Sequence, residues 1–123
     1  MLYRKLNKTD LSILGFGCMR LPTTPEGKID EVHATKMLRY AIDHGVNYVD
    51  TAWPYHGGES EPFVGRALGS GYREKVHIAT KLPSWLITSR GDMDKYLDEQ
   101  LVKLKTDHIN RMGKLKSTLT GQF

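Results

Sequence analysis

Cysteine is nearly absent: Cys18 stands alone in 123 residues. A single thiol excludes an internal disulfide framework and a multi-cysteine metal site, and it fits a reducing, cytoplasmic compartment. No run of about 18 apolar residues occurs, the length a helix needs to cross a bilayer, so no membrane partner is expected. The opening MLYRKLNKTD lacks the apolar core of a secretory signal. A large excess of charge of one sign is also missing. Eighteen Lys and Arg against 14 Asp and Glu leave a formal +4, with no clustered basic face, and nucleic acid is excluded as an expected partner. There is no internal repeat and no low-complexity tract. What remains is a composition of 39% hydrophobic and 26% charged residues, that of a soluble globular chain, at a length that makes one domain with a modest core.

The hydrophobic pattern alternates between short runs and helical periods. Leu11 to Cys18 reads as a strand ending in a tight turn at Gly15 and Gly17. After a Pro/Gly loop, Asp30 is placed to cap a helix. Its inner face is Ala34, Met37, Leu38, Ala41 and Ile42, and Gly45 is its stop. Val46 to Ala52 is the second strand, Glu59 to Leu68 a second helix, and Val76 to Leu82 the third strand. Asp92 to Lys105 forms a third helix, with Met93, Tyr96, Leu97, Leu101 and Leu104 as its buried stripe. Strands alternating with helices imply βαβ units around a parallel sheet. A fourth strand should begin near His108, but NRMGKLKSTLTGQF offers no apolar run. Residues 110–123 are therefore expected to be a polar tail, loop or disordered, after a βα domain over 1–109.

In parallel α/β folds, functional groups gather at the carboxyl ends of strands. Asp50 and Lys81 fall there, and Tyr55 lies on the loop after the same edge. If they meet, Lys81 favours the tyrosinate form, Asp50 holds the ammonium, and Tyr55 becomes a usable acid well below its ordinary value of about 10. Singly each residue is ordinary: a turn-forming Asp, a solvated Lys, a surface Tyr. In register on two strands, they become equipment for handing a proton to a carbonyl.

The wording GFGCMRLP, then VDTAWPYHGGESE, then ATKLP resembles the amino-terminal part of an aldo-keto reductase. GFGCMRLP and HGGESE are most similar to the bacterial and archaeal branch that often carries a carboxyl-terminal iron–sulfur region. The resemblance runs from Leu2 to about Ile109. It implies a (β/α)8 TIM barrel, of which this chain supplies only the first three to four βα units, since a full barrel needs about 250 residues. It implies hydride transfer from NADPH or NADH to a small aldehyde or ketone. Tyr55 would be the proton donor, Lys81 would tune it, and Asp50 would pair with Lys81 near the nicotinamide ribose. Backbone at Gly17, Cys18 and Met19 would approach the cofactor, and Trp53 and Trp85 would line the substrate pocket.

The chain departs from that family at one catalytic position. The family pattern places a histidine at about position 115, where Leu115 stands. His108 cannot replace it, lying where that strand begins, about 23 Å away at roughly 3.3 Å per residue. His56 belongs to the ordinary PYHGG wording. The change at Asn110 reads as a frame shift or truncation. A second reading is therefore a catalytically inactive remnant or a small interaction module that binds no cofactor. Half a parallel sheet leaves edge strands open, so self-association into a homo-oligomer is expected.

Overall fold

Asn7 turns the chain at φ 57°, a left-handed conformation that Asn tolerates better than most residues. The turn joins Tyr3–Leu6 (β1) to Thr9–Ser12 (β2) as an antiparallel hairpin. The computed structural model describes residues 1–115. The hairpin interrupts what the pattern reads as one strand from Leu11 to Cys18. Ser12 N–H donates to Asn47 Oδ1 at 2.8 Å, Asn47 N–H returns a bond to Ser12 Oγ at 3.0 Å, and Ser12 Oγ donates to the Leu14 carbonyl at 2.7 Å. These bonds bend the chain after Ser12 and leave only Phe16–Gly17 (β3) to join the main sheet.

That sheet is parallel and follows chain order: β3, Tyr48–Asp50 (β4), His77–Pro83 (β5) and Arg111–Leu115 (β6). Glu31–Asp43 (α1), Ser60–Ala67 (α2) and Arg90–Leu104 (α3) make the crossovers. The architecture is the expected partial α/β barrel. Register sets Gly17 beside Asp50, Asp50 beside Ala79, and Lys81 beside Gly113.

Asp30 caps α1 as the sequence predicts, its Oδ1 accepting from His33 N–H at 3.2 Å. Ala34, Leu38 and Ile42 are buried on it, a line with a spacing of four, while Met37 stays 42% exposed. Leu38, Val49, Phe63, Val64, Ile78 and Leu104 meet in one core between the sheet and its helices. α3 begins earlier than expected because Ser89 Oγ accepts from Asp92 N–H at 3.3 Å. Of its predicted stripe only Leu104 is fully buried, joined by Gln100. Met93, Leu97 and Leu101 instead line an open depression of about 400 Å³ with Leu82, Ile109 and Met112. α3 is held close to α2 at Gly65, where a Cβ would stand 2.5 Å from the Lys103 carbonyl oxygen.

The expectation of a structureless tail from residue 110 is overturned at Arg111–Leu115, which forms β6. The cause is main-chain pairing rather than apolar content. Asn110 N–H donates to the Ile78 carbonyl at 3.0 Å, and Asn110 Oδ1 accepts from Ile78 N–H at 2.9 Å. β5 thereby offers a rail along which Ala79 to Pro83 pair with Arg111 to Leu115. Strand propensity follows such context more than composition. Arg73 braces the approach, donating to Thr106 Oγ1 at 2.9 Å and to the His108 carbonyl at 3.0 Å. The rest of the expected tail, 116–123, lies outside the described residues.

Candidate functional site

β4 and β5 run parallel, so Asp50 and Lys81 reach the same rim. Asp50 sits beside Ala79. Side chains alternate along a strand, so Lys81, two residues on, shares its face. Lys81 Nζ donates to Asp50 Oδ2 at 2.8 Å, to Asp50 Oδ1 at 3.0 Å and to the Thr51 carbonyl at 3.0 Å. The ammonium lies 5.0 Å from the centre of the Tyr55 ring, and the Tyr55 side chain hydrogen-bonds it. The three residues singled out in the sequence therefore converge.

Burial works against the Lys81 charge, but the hydrogen bonds and charge of Asp50 and the contact with Tyr55 outweigh it, so its pKa lies above the ordinary value. The folded chain thus holds this proton more tightly than the unfolded chain. The stability gained is fully present below 10.5 and is lost as pH rises through the folded value. An exposed ion pair contributes about 0.2–1 kcal/mol, whereas breaking a fully buried one costs about 3–5 kcal/mol. Side-chain exposures of 23% and 37% place this pair between the limits, and Lys81→Met is expected to cost about 1–2 kcal/mol at neutral pH after discounting for solvent screening. Urea midpoints of the two proteins should converge as the pH is taken above 10.5; an unchanging gap would show that the ion pair is not its source.

The loop that carries Tyr55 is fastened at both ends. Tyr55 N–H donates to the Ala52 carbonyl at 3.2 Å. His56 adopts φ 54°, and its Nε2 accepts from Leu21 N–H at 3.0 Å. That bond needs a neutral ring, and burial lowers the His56 pKa. His56 is therefore a loop clamp. His108 lies in the connection before β6, next to Asp107 and Arg73.

Gly17 faces open space: no atom lies within 4 Å of where its Cβ would stand. It shares a depression of about 460 Å³ with Gly15, Tyr48 and Asp50. Cys18 is turned inward, its N–H bonded to the Asp50 carbonyl at 2.9 Å and its carbonyl accepting from Ser60 Oγ at 3.3 Å. Burial first, then the Asp50 charge, push its thiol up to about 12, which keeps it a protonated packing group. Met19, next in the chain, is half-buried. Trp53 leans on α3, edge-on to Tyr96 at 5.0 Å with Lys103 Nζ 3.5 Å over its ring. Trp85 follows β5 at 39% exposure.

The sequence reading missed a buried polar group behind the rim. Glu61 Oε2 accepts from Thr80 Oγ1 at 2.7 Å and from Gln100 Nε2 at 3.0 Å. Gln100 Nε2 also donates to the Lys81 carbonyl at 3.0 Å. A signal was available: Glu61 lines up with Val64 and Leu68, and Gln100 with Leu97 and Leu104, so each polar residue occupies an apolar stripe position. Among the described residues no group of three or more His, Cys, Asp or Glu could hold a metal ion, and no helix is long and apolar enough to cross a membrane.

A model of the aldo/keto reductase family matches residues 13–112. The uncharacterised oxidoreductase YqkF of Bacillus subtilis is 38% identical over 118 residues, covering 87% of this chain and 36% of that protein. The holo form of aldo-keto reductase AKR11C1 from Bacillus halodurans superposes with a TM-score of 0.78 at 31% identity, over 98% of this chain and 42% of that one. An aldo/keto reductase from Klebsiella pneumoniae in complex with NADP and acetate gives 0.72 at 26% identity, over 85% and 35%. The chain spans 25% to 36% of the length of the curated relatives it matches.

Proposed function

Because this chain belongs to the aldo/keto reductase family, whose members are oxidoreductases, we propose that it contributes the acid–base half of an NADPH- or NADH-dependent reduction of a small aldehyde or ketone. The observation that carries this reading is the convergence of Asp50, Lys81 and Tyr55 on one rim. A carbonyl carbon accepts the hydride that a nicotinamide cofactor supplies when bound. The carbonyl oxygen takes the proton from Tyr55 Oη, and the product is the alcohol. Negative charge developing on the Tyr55 oxygen faces the Lys81 ammonium, which Asp50 holds by two bonds.

The residues present fit a dinucleotide in one respect. The backbone at Gly17 borders an open depression that reaches Asp50. Cys18, bonded inward on both main-chain groups, stiffens that segment, and Met19 continues it. Trp53 and Trp85 follow the ends of β4 and β5, where a small carbonyl compound would enter.

Fluorescence titration of NADPH into the purified chain tests the reading. Quenching or enhancement that saturates in the micromolar range, together with aldehyde-dependent loss of NADPH, is the expected result. No binding at millimolar NADPH would overturn the reading for this chain and assign it a role without cofactor.

A further inference from the structure

Among the described residues Glu61 is the one acidic side chain with no exposure at all. It lies in the first turn of α2, where α2 meets β5 and α3. Its Oε2 is doubly bonded, to Thr80 and to Gln100. Its Oε1 is buried without a partner, and so is Gln100 Oε1. An ionised carboxylate would leave both atoms as buried acceptors that nothing satisfies, an arrangement folded proteins avoid. A proton on Glu61 Oε1 would make that atom a donor, and Gln100 Oε1, on the amide that already grips the same carboxyl, is a buried acceptor in need of one.

The amide also reaches the site. Gln100 Nε2 donates to the Lys81 carbonyl at 3.0 Å, and that same carbonyl accepts from Trp53 N–H at 3.3 Å. Thr80 and Lys81 are neighbours on β5 with side chains on opposite faces. The buried group thus stands on the opposite face of β5 from the Lys81 side chain, bonded to the main-chain carbonyl that also holds Trp53 in the loop leading to Tyr55.

We propose that Glu61 stands as a neutral carboxylic acid paired with Gln100, and that this pair positions Lys81 and, through Trp53, the Tyr55 loop. The protonation state is independent of the reductase reading; only the use made of the positioning rests on it. The charged groups around Glu61 leave room for a neutral acid. From α3, Lys103 directs its ammonium over the Trp53 ring, and among the described residues no ion pair reaches Glu61. From β5, Lys81 turns to Asp50 on the other face. On α2 itself, Arg66 pairs with Glu31 at the surface. Burial raises the Glu61 pKa, opposed by the bond from Thr80, the Lys103 charge and the bond from Gln100. A raised folded value means that this group's contribution to stability is fully present below 4.5 and is lost as pH rises through the folded value.

Carbon-13 NMR of the Glu61 carboxyl in the intact chain tests the protonation. The expected signal at neutral pH is that of a protonated acid, absent in Glu61→Gln; an ionised signal would overturn the proposal. Glu61→Gln places an N–H where the acid proton stands, so its urea midpoint at neutral pH should equal or exceed that of the native chain. A drop as large as that of Glu61→Ala would overturn it too. Nitrogen-15 NMR of Lys81 Nζ tests the positioning. Its titration should fall toward 10.5 in Glu61→Ala and be restored in Glu61→Gln. Gln100→Met serves as a second variant should Glu61→Ala not fold. An unmoved Lys81 titration in whichever variant folds would overturn the positioning role. None of these readouts uses NADPH, so failure here and failure of the reductase reading are distinguishable.

Discussion

Tyr55→Phe is expected to lower aldehyde-dependent NADPH oxidation about 10²–10⁴-fold, the range that a well-placed general acid contributes. The substitution is narrow. A Phe ring keeps the aromatic face 5.0 Å from Lys81 Nζ, an attraction of about 0.5–1 kcal/mol near the surface. Only the hydroxyl and its hydrogen bond to the ammonium are lost. Cofactor affinity and the urea midpoint should therefore stay close to those of the native chain while the rate collapses. Steady-state rates at saturating NADPH, taken beside the fluorescence titration, separate the two. A variant that binds NADPH and reduces aldehyde at the native rate would remove Tyr55 from the reaction.

Gly65→Val is expected to be the most damaging single substitution between the helices. A Cβ at Gly65 would stand 2.5 Å from the Lys103 carbonyl oxygen, 2.9 Å from the Leu104 carbonyl carbon and 3.1 Å from Leu104 Cα. All three are backbone atoms that no rotamer change can withdraw, so α3 would have to move as a body. Overpacking of this kind costs about 1–3 kcal/mol. A rigid contact well inside van der Waals distance puts Gly65→Val near the upper end, about 3 kcal/mol. The better helix propensity of Val over Gly returns only a few tenths of a kcal/mol. Domains hold about 5–15 kcal/mol in all, so the urea midpoint should fall steeply with little change in slope. A midpoint equal to the native one would show that α2 and α3 do not approach so closely.

The rim was legible in the sequence because each member announces itself by position: Asp50 and Lys81 close apolar runs, and Tyr55 follows in a Pro/Gly loop. The helices were legible from their periods, and Asp30 and Gly45 from their roles at helix ends. β6 was not, because its strand character comes from pairing with β5 and from Asn110 gripping Ile78, contacts between residues far apart in the chain. The β1–β2 hairpin was hidden for a similar reason. Ser12 and Asn47 bend the chain by partnering across 35 residues, and no local pattern records that. Glu61 and Gln100 were not singled out. Their place on apolar stripes becomes informative only once α2, α3 and β5 are seen to enclose them.

Cys18 has a practical consequence. The chain's sole thiol is wholly enclosed between β3 and the loop after β4, and it is held protonated up to about 12. A maleimide or iodoacetamide can meet it only when that edge swings away from the sheet. The rate of alkylation is thus a stopwatch for the opening of the segment on which Gly17 sits, one that needs neither an introduced probe nor a bound ligand.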